Sequence, residues 1–178
     1  MHAGDDTPDI SERQARYAGA EEIAEGVLAE TKNDPDANAV LALVQARKVR
    51  DANLLHQVFL LPDLRRRLDR ALDLAPDDVE LLDAKGSLLL RLPGFSGGNP
   101  REARSLLERA VALDPQDTTA FLGLSEADQE LGDLDAAAAN ARRAITLARA
   151  HGESEDLARG EARLREIEPL LGRQAKRP

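Results

Sequence analysis

Thr118–Arg149 reads TTAFLGLSEADQELGDLDAAAANARRAITLAR, and the fold is decided in this stretch. Its second half sets Ala137, Ala141, Ala144, Ile145 and Leu147 at a spacing that forms one apolar face of a helix. Gly132-Asp133 lies ahead of that face and supplies a turn, since glycine takes positive φ without a steric penalty. Antiparallel helices approach closely only where side chains are short, and alanine permits that approach. A hairpin of this kind cannot bury its apolar face alone, so neighbouring hairpins must stack.

The same face recurs upstream. Ala103, Leu107, Ala110, Val111 and Leu113 keep its phase, as do Leu64, Leu68, Ala71, Leu72 and Leu74. Each set ends in a similar way: Leu72-Asp73-Leu74-Ala75-Pro76-Asp77, then Val111-Ala112-Leu113-Asp114-Pro115-Gln116, then the weaker Ile145-Thr146-Leu147-Ala148-Arg149. Leu72 to Val111 is 39 residues and Val111 to Ile145 is 34.

The shorter offset is the period of the tetratricopeptide repeat, and Thr118–Arg149 resembles that repeat most fully. Phe121 stands at the usual Trp position and Leu124 at the usual Leu; Ser125 replaces the small Gly; Ala137 and Ala144 are the small packing residues. Asp128 stands where a Tyr is usual and Ala141 where an aromatic is usual, which implies a thinner core on the same fold. In Val79–Pro115 the first helix holds Leu82 and Gly86 at the large and small positions, and Pro93–Gly98 enlarges the turn. Asn99-Pro100-Arg101-Glu102 then opens the next helix with a cap, a proline at the first helical position and a glutamate three after the cap. The whole stretch resembles bacterial tetratricopeptide proteins with a PGF-x-GG loop.

Outside these two repeats the pattern weakens. Asn33-Asp34-Pro35-Asp36 reads as another repeat end, followed by helix Ala37–Arg50, an irregular link near Asp51–Pro62 and helix Asp63–Leu74. Ser11–Thr31 reads as a first helix with Tyr17, Ala20, Ile23, Ala24, Val27 and Leu28 apolar. Ser154–Glu168 reads as a polar-backed capping helix that Pro169 ends. The expected architecture is all-α: a tetratricopeptide-type solenoid of antiparallel hairpins, about eight helices. The expected organisation is a disordered stretch over 1–10, one domain over 11–173 and a tail over 174–178. Within that domain the best repeats are 79–115 and 118–149, the degenerate repeat is 37–76 and the cap is 154–168.

Composition agrees. Of 178 residues, 42% are hydrophobic but only 2% aromatic, so the apolar content is largely Ala and Leu, the strong helix formers. A net charge of -9 sets the chain against the phosphate backbones of nucleic acid and anionic membrane surfaces, so neither is an expected partner. The absence of cysteine excludes disulfides, thiolate metal sites and a Cys nucleophile. No apolar run approaches the ~20 residues of a transmembrane helix, and the polar Met1–Asp6 start is unlike a signal peptide. The expected location is the cytoplasm, or the periplasm if a leader has been removed.

Catalytic signals are few. Gly94-Phe95-Ser96-Gly97-Gly98 fits the G-x-S-x-G nucleophile elbow, but that elbow needs a parallel sheet and no segment here reads as a buried strand. His2, His56 and His151 are scattered, with no second His at ligand spacing, so no metal is expected. No phosphate-binding glycine loop exists, no cofactor is implied, and the carboxylates read as solvated helix faces beside arginines. The chain does not read as an enzyme.

The resemblance implies instead a binding groove lined by the first helix of each hairpin. By position the lining is Glu80, Asp83, Ser87, Leu90 and Arg91, then Thr119, Leu122, Glu126, Gln129 and Glu130, with Ala39, Ala42, Leu43, Ala46 and Val49 upstream. Family members that grip a C-terminal carboxylate use Lys, Arg and Asn there, whereas this chain has Asp83, Ser87, Leu122 and Glu126. A basic or amphipathic protein segment fits such a groove better than an acidic tail. The bland alternative is a merely solvated groove, or one filled by the chain's own terminus. A second functional reading is a structural or assembly subunit of a larger complex, or a homo-oligomer. Apolar Leu54–Leu61, with Leu55 and Phe59, and the loop residue Phe95 are its candidate interface.

Overall fold

The computed structural model describes residues 10–51 and 54–174. Among them are eight α-helices and no strand. They are α1 (Ile10–Glu30), α2 (Pro35–Asp51), α3 (Leu54–Leu74), α4 (Val79–Arg91), α5 (Pro100–Leu113), α6 (Thr118–Leu131), α7 (Leu134–His151) and α8 (Ser154–Gln174). The chain divides between Pro76 and Asp77 into two compact units.

In the second unit, consecutive helices pack as antiparallel neighbours, and α4, α6 and α8 also pack in sequence on one another. The helix starts are chemical. Asp78 accepts from the Leu81 N–H at 3.0 Å, Asn99 from Glu102 at 3.2 Å, Asp117 from Thr119 at 2.9 Å, and Asp133 from Ala136 at 3.1 Å. Each cap satisfies an otherwise orphaned donor of the first turn. Gly132, at φ 83°, ends α6, and the Asp133 N–H then donates to the Asp128 carbonyl at 2.8 Å, closing the turn expected there.

The core of this unit turns on one leucine. Leu107 of α5 is fully buried, and it is received by a glycine on each side. A Cβ on Gly86 of α4 would stand 2.7 Å from Leu107 Cγ, and one on Gly123 of α6 would stand 2.9 Å from Leu107 Cδ1. The same device recurs at Gly160 of α8, where a Cβ would meet Ile145 Cγ1 of α7 at 2.8 Å. Asp128, at the usual Tyr position, is 1% exposed. It accepts from Asn140 of α7 at 2.8 Å and lies 3.2 Å from Arg104 Nε of α5, so a polar bridge fills the space an aromatic ring would take.

The first unit is plainer. Ala24, Ala37 and Leu41 join α1 to α2, while Leu64, Leu68 and Ala71 are the buried face of α3. On α1 the expected apolar face is only partly used: Ile23 is 73% exposed and Val27 40%. The physical reason is that α2 is the helix that packs on α1, and one neighbour covers only a narrow stripe.

Two proline readings are corrected. The link expected over Asp51–Pro62 is helical from Leu54, with Pro62 inside α3. The cap expected to end at Glu168 runs to Gln174 through Pro169. Both prolines are exposed, so each ring sits on the outer side of its helix rather than in the core. Beyond Pro169, Leu171 still packs on the Ala137–Ala138–Ile167 cluster, which offsets that loss. The expectation of disorder over 1–10 falls, apart from Ile10 at the start of α1, outside the described residues, and so does most of the 174–178 tail.

Candidate functional site

The predicted lining residues lie on α4 and α6, and the structure sorts them into two groups. Glu80, Thr119 and Glu130 are exposed, and Asp83, Ser87, Glu126 and Gln129 are half-buried. Leu90 and Leu122 are withdrawn into the core, at 8% and 2% exposure. Leu122 is packed toward Gly160 of α8, so neither leucine presents an apolar surface to a partner. Upstream, Ala39, Ala42 and Val49 are likewise buried in the first unit.

The remaining groups form a charged face on α4, α6 and α8. Asp83 is its centre. Burial pushes the Asp83 carboxyl up to about 8, and the nearby Asp117, Asp156 and Glu80 push the same way against the pull of Arg159. Its Oδ1 is buried without a hydrogen-bond partner. Asp117 is raised too, chiefly by burial, although its two N–H bonds to the start of α6 oppose the shift. Further along α6, Glu130 is raised by burial and by Glu126 against Arg163. Arg163 donates to Gln129 at 3.0 Å and stands 3.9 Å from Glu126. Arg159 is held by Asp156 at 2.6 Å.

Asp156, Arg159 and Arg163 belong to α8, and the sequence reading missed them by treating that helix as a cap alone. The available signal was the pair Arg159 and Arg163, one turn apart and flanking the small Gly160. The chain's own last helix thus supplies part of the face and neutralises its Glu126–Gln129 end, leaving the Asp83 end acidic. Arg91 is exposed at the C-terminal end of α4.

Between α4 and α5 the Pro93–Gly98 loop is tightly specified. Gly94–Ser96 forms a single 3-10 turn, Gly97 has φ 93°, and the Gly98 N–H donates to the Pro93 carbonyl at 3.0 Å. A Cβ on Gly98 would stand 1.8 Å from the Leu92 carbonyl oxygen, so only glycine fits. The loop displays Phe95 at 94% exposure. Ser96 is exposed on a turn between helices, away from the strand-to-helix bend that a nucleophile elbow requires. The side chains of Leu55, His56 and Phe59 lie outside the described residues. His151 is exposed, 3.7 Å from Glu153. Among the described residues no cluster of His, Cys, Asp or Glu is arranged to hold a metal, and no helix is long and apolar enough to cross a membrane.

Stacked antiparallel hairpins with glycine-seated knobs give the second unit an α-helical repeat fold of the tetratricopeptide type. Residues 95–139 match the tetratricopeptide repeat family, which places a repeat of that family in this chain. Solved structures with the same fold include TTC0263, described as a thermophilic TPR protein of Thermus thermophilus, at 20% identity and a TM-score of 0.60, covering 85% of this chain and 75% of that one. MamA from Desulfovibrio magneticus RS-1 shares 18% identity over 91% of this chain and 89% of its own, with a TM-score of 0.57. Yeast Tom70 is similar at 21% identity and a TM-score of 0.61, with 89% of this chain matching 32% of that one. No curated protein matches the sequence.

Proposed function

We propose that this protein is a non-enzymatic binding scaffold whose α4–α6–α8 face takes a basic or amphipathic protein segment. The observation that carries the reading is the Asp83 carboxylate: half-buried, surrounded by Asp117, Asp156 and Glu80, with one oxygen lacking a hydrogen-bond partner. A lysine or arginine side chain from a partner brings to this acidic surround the positive charge that it lacks. Near neutral pH Asp83 holds a proton that a bound cation displaces, so binding should release a proton. Calorimetry of Lys/Arg-rich and Glu-rich peptides in buffers of different ionisation enthalpy tests this. The basic peptide should bind with up to one proton released, and Asp83→Asn should abolish the release. Equal binding of both peptides would overturn the reading.

The assembly reading rests on a different observation, the 94% exposure of Phe95 on a rigid loop. Light scattering of the protein and of Phe95→Ser separates the two: an assembly role predicts a concentration-dependent mass that the substitution removes.

A further inference from the structure

The first unit contains a feature of the opposite charge. Between α2 and α3 lies a cleft of ≈ 240 Å³, lined by Asn38, Leu41, Asp63, Arg66, Arg67 and Arg70. Three guanidinium groups and one carboxylate give this lining a charge of +2 (three minus one), in a chain whose net charge is -9. Helical Asp–Arg pairs ordinarily match one charge with another, and here the ratio is three to one around a void.

Asp63 is already saturated. Its Oδ1 accepts from Arg66 at 2.9 Å, and its Oδ2 accepts from Arg67 at 3.0 Å and from Gln45 at 2.9 Å. Those bonds hold it down to about 2, led by Arg67, so it stays ionised and acts as a brace for the arginines. Arg70 is braced by the Asn33 side-chain oxygen. Each of these bonds engages one of the five N–H donors on its guanidinium. The arginines are therefore oriented before any ligand arrives, which lowers the ordering loss on binding.

We infer that this cleft is an oxyanion site for a phosphate dianion. Guanidinium forks match phosphate oxygens, and a charge of -2 cancels the lining where a single carboxylate would not. The volume lies below the roughly 300–1,000 Å³ of drug-sized pockets, which fits a small anion or the phosphorylated end of a side chain rather than a whole cofactor. This site is on a different unit from the acidic face and does not depend on its role.

The test is an NMR titration of arginine Nε–H signals with inorganic phosphate, against chloride at equal ionic strength. Phosphate should shift Arg66, Arg67 and Arg70 saturably and more strongly at pH 7.5 than at pH 5.5, since the second phosphate pKa is about 6. Arg66→Gln and Arg70→Gln should each weaken binding by roughly tenfold with helicity unchanged. Arg66→Lys keeps the charge but not the fork, and should fall between. A phosphoserine peptide that binds more tightly than free phosphate assigns the site to a phosphorylated chain; equal affinity assigns it to a free anion. Shifts reproduced by chloride, shifts equally large at Arg16 and Arg143 outside the cleft, or unchanged binding by the glutamine variants would overturn the proposal.

Discussion

The two units solve one packing problem with different precision. In 77–178, a leucine on α5 is seated between glycines on the helices either side. In 1–76, the described glycines Gly19 and Gly26 face nothing within 4 Å, and Ile23 and Val27 remain in water. The difference shows that shared hairpin architecture does not imply shared specificity. A helix pair needs only apolar stripes to associate, whereas a fixed register needs a knob with a hole made for it.

The largest effect should come from removing the knob. Leu107→Ala leaves a fully enclosed void and should destabilise the second unit by about 3–5 kcal/mol, visible as loss of amide protection in α4–α7 by hydrogen exchange. If α1–α3 lose protection first, the contrast drawn between the units is wrong. Filling a hole should cost less: Gly123→Ala forces a Cβ against Leu107 and should cost about 1–3 kcal/mol in chemical denaturation. Gly123→Ala combined with Leu107→Val should recover part of that loss.

Asp83 gives a smaller, pH-dependent effect. Its folded carboxyl titrates at about 8 against an ordinary value of 3.8, so the native state holds a proton that the unfolded chain has released. Stability must therefore fall as pH rises from about 4 to about 8. Asp83→Asn should flatten that decline and stabilise the protein at pH 8 by about 1–3 kcal/mol, as read from thermal midpoints. The smallest effect is expected in the first unit, where Ile23→Ala should change stability by no more than about 0.5 kcal/mol because the side chain is mostly in water.

Most of the architecture was legible in the sequence, because the repeat is written in apolar phase and in caps. Gly132-Asp133 and Asn99-Pro100 are local signals with local causes, and they sit where the spacing places them. The proline rule failed twice, since its force depends on whether the ring sits at the surface or in the core, and that is tertiary information. Gly86 stood out as a small position, but Gly123 and Gly160 did not. Their role comes from what lies opposite, Leu107 and Ile145, and a single chain does not state its partners. The charged face was half legible for the same reason. Glu80, Asp83 and Glu126 follow from helix position, while Arg159 and Arg163 enter from a helix whose alternating Arg and Glu read as a solvated surface.

The Gly86–Leu107–Gly123 arrangement also restricts how the chain can change over generations. A methyl group added at either glycine collides with a leucine that serves both, so the three positions cannot drift independently. The leucine must shrink before a glycine can grow, and the first step opens a cavity that the second only partly fills. Lineages carrying this hairpin pair should therefore change either glycine only together with the leucine.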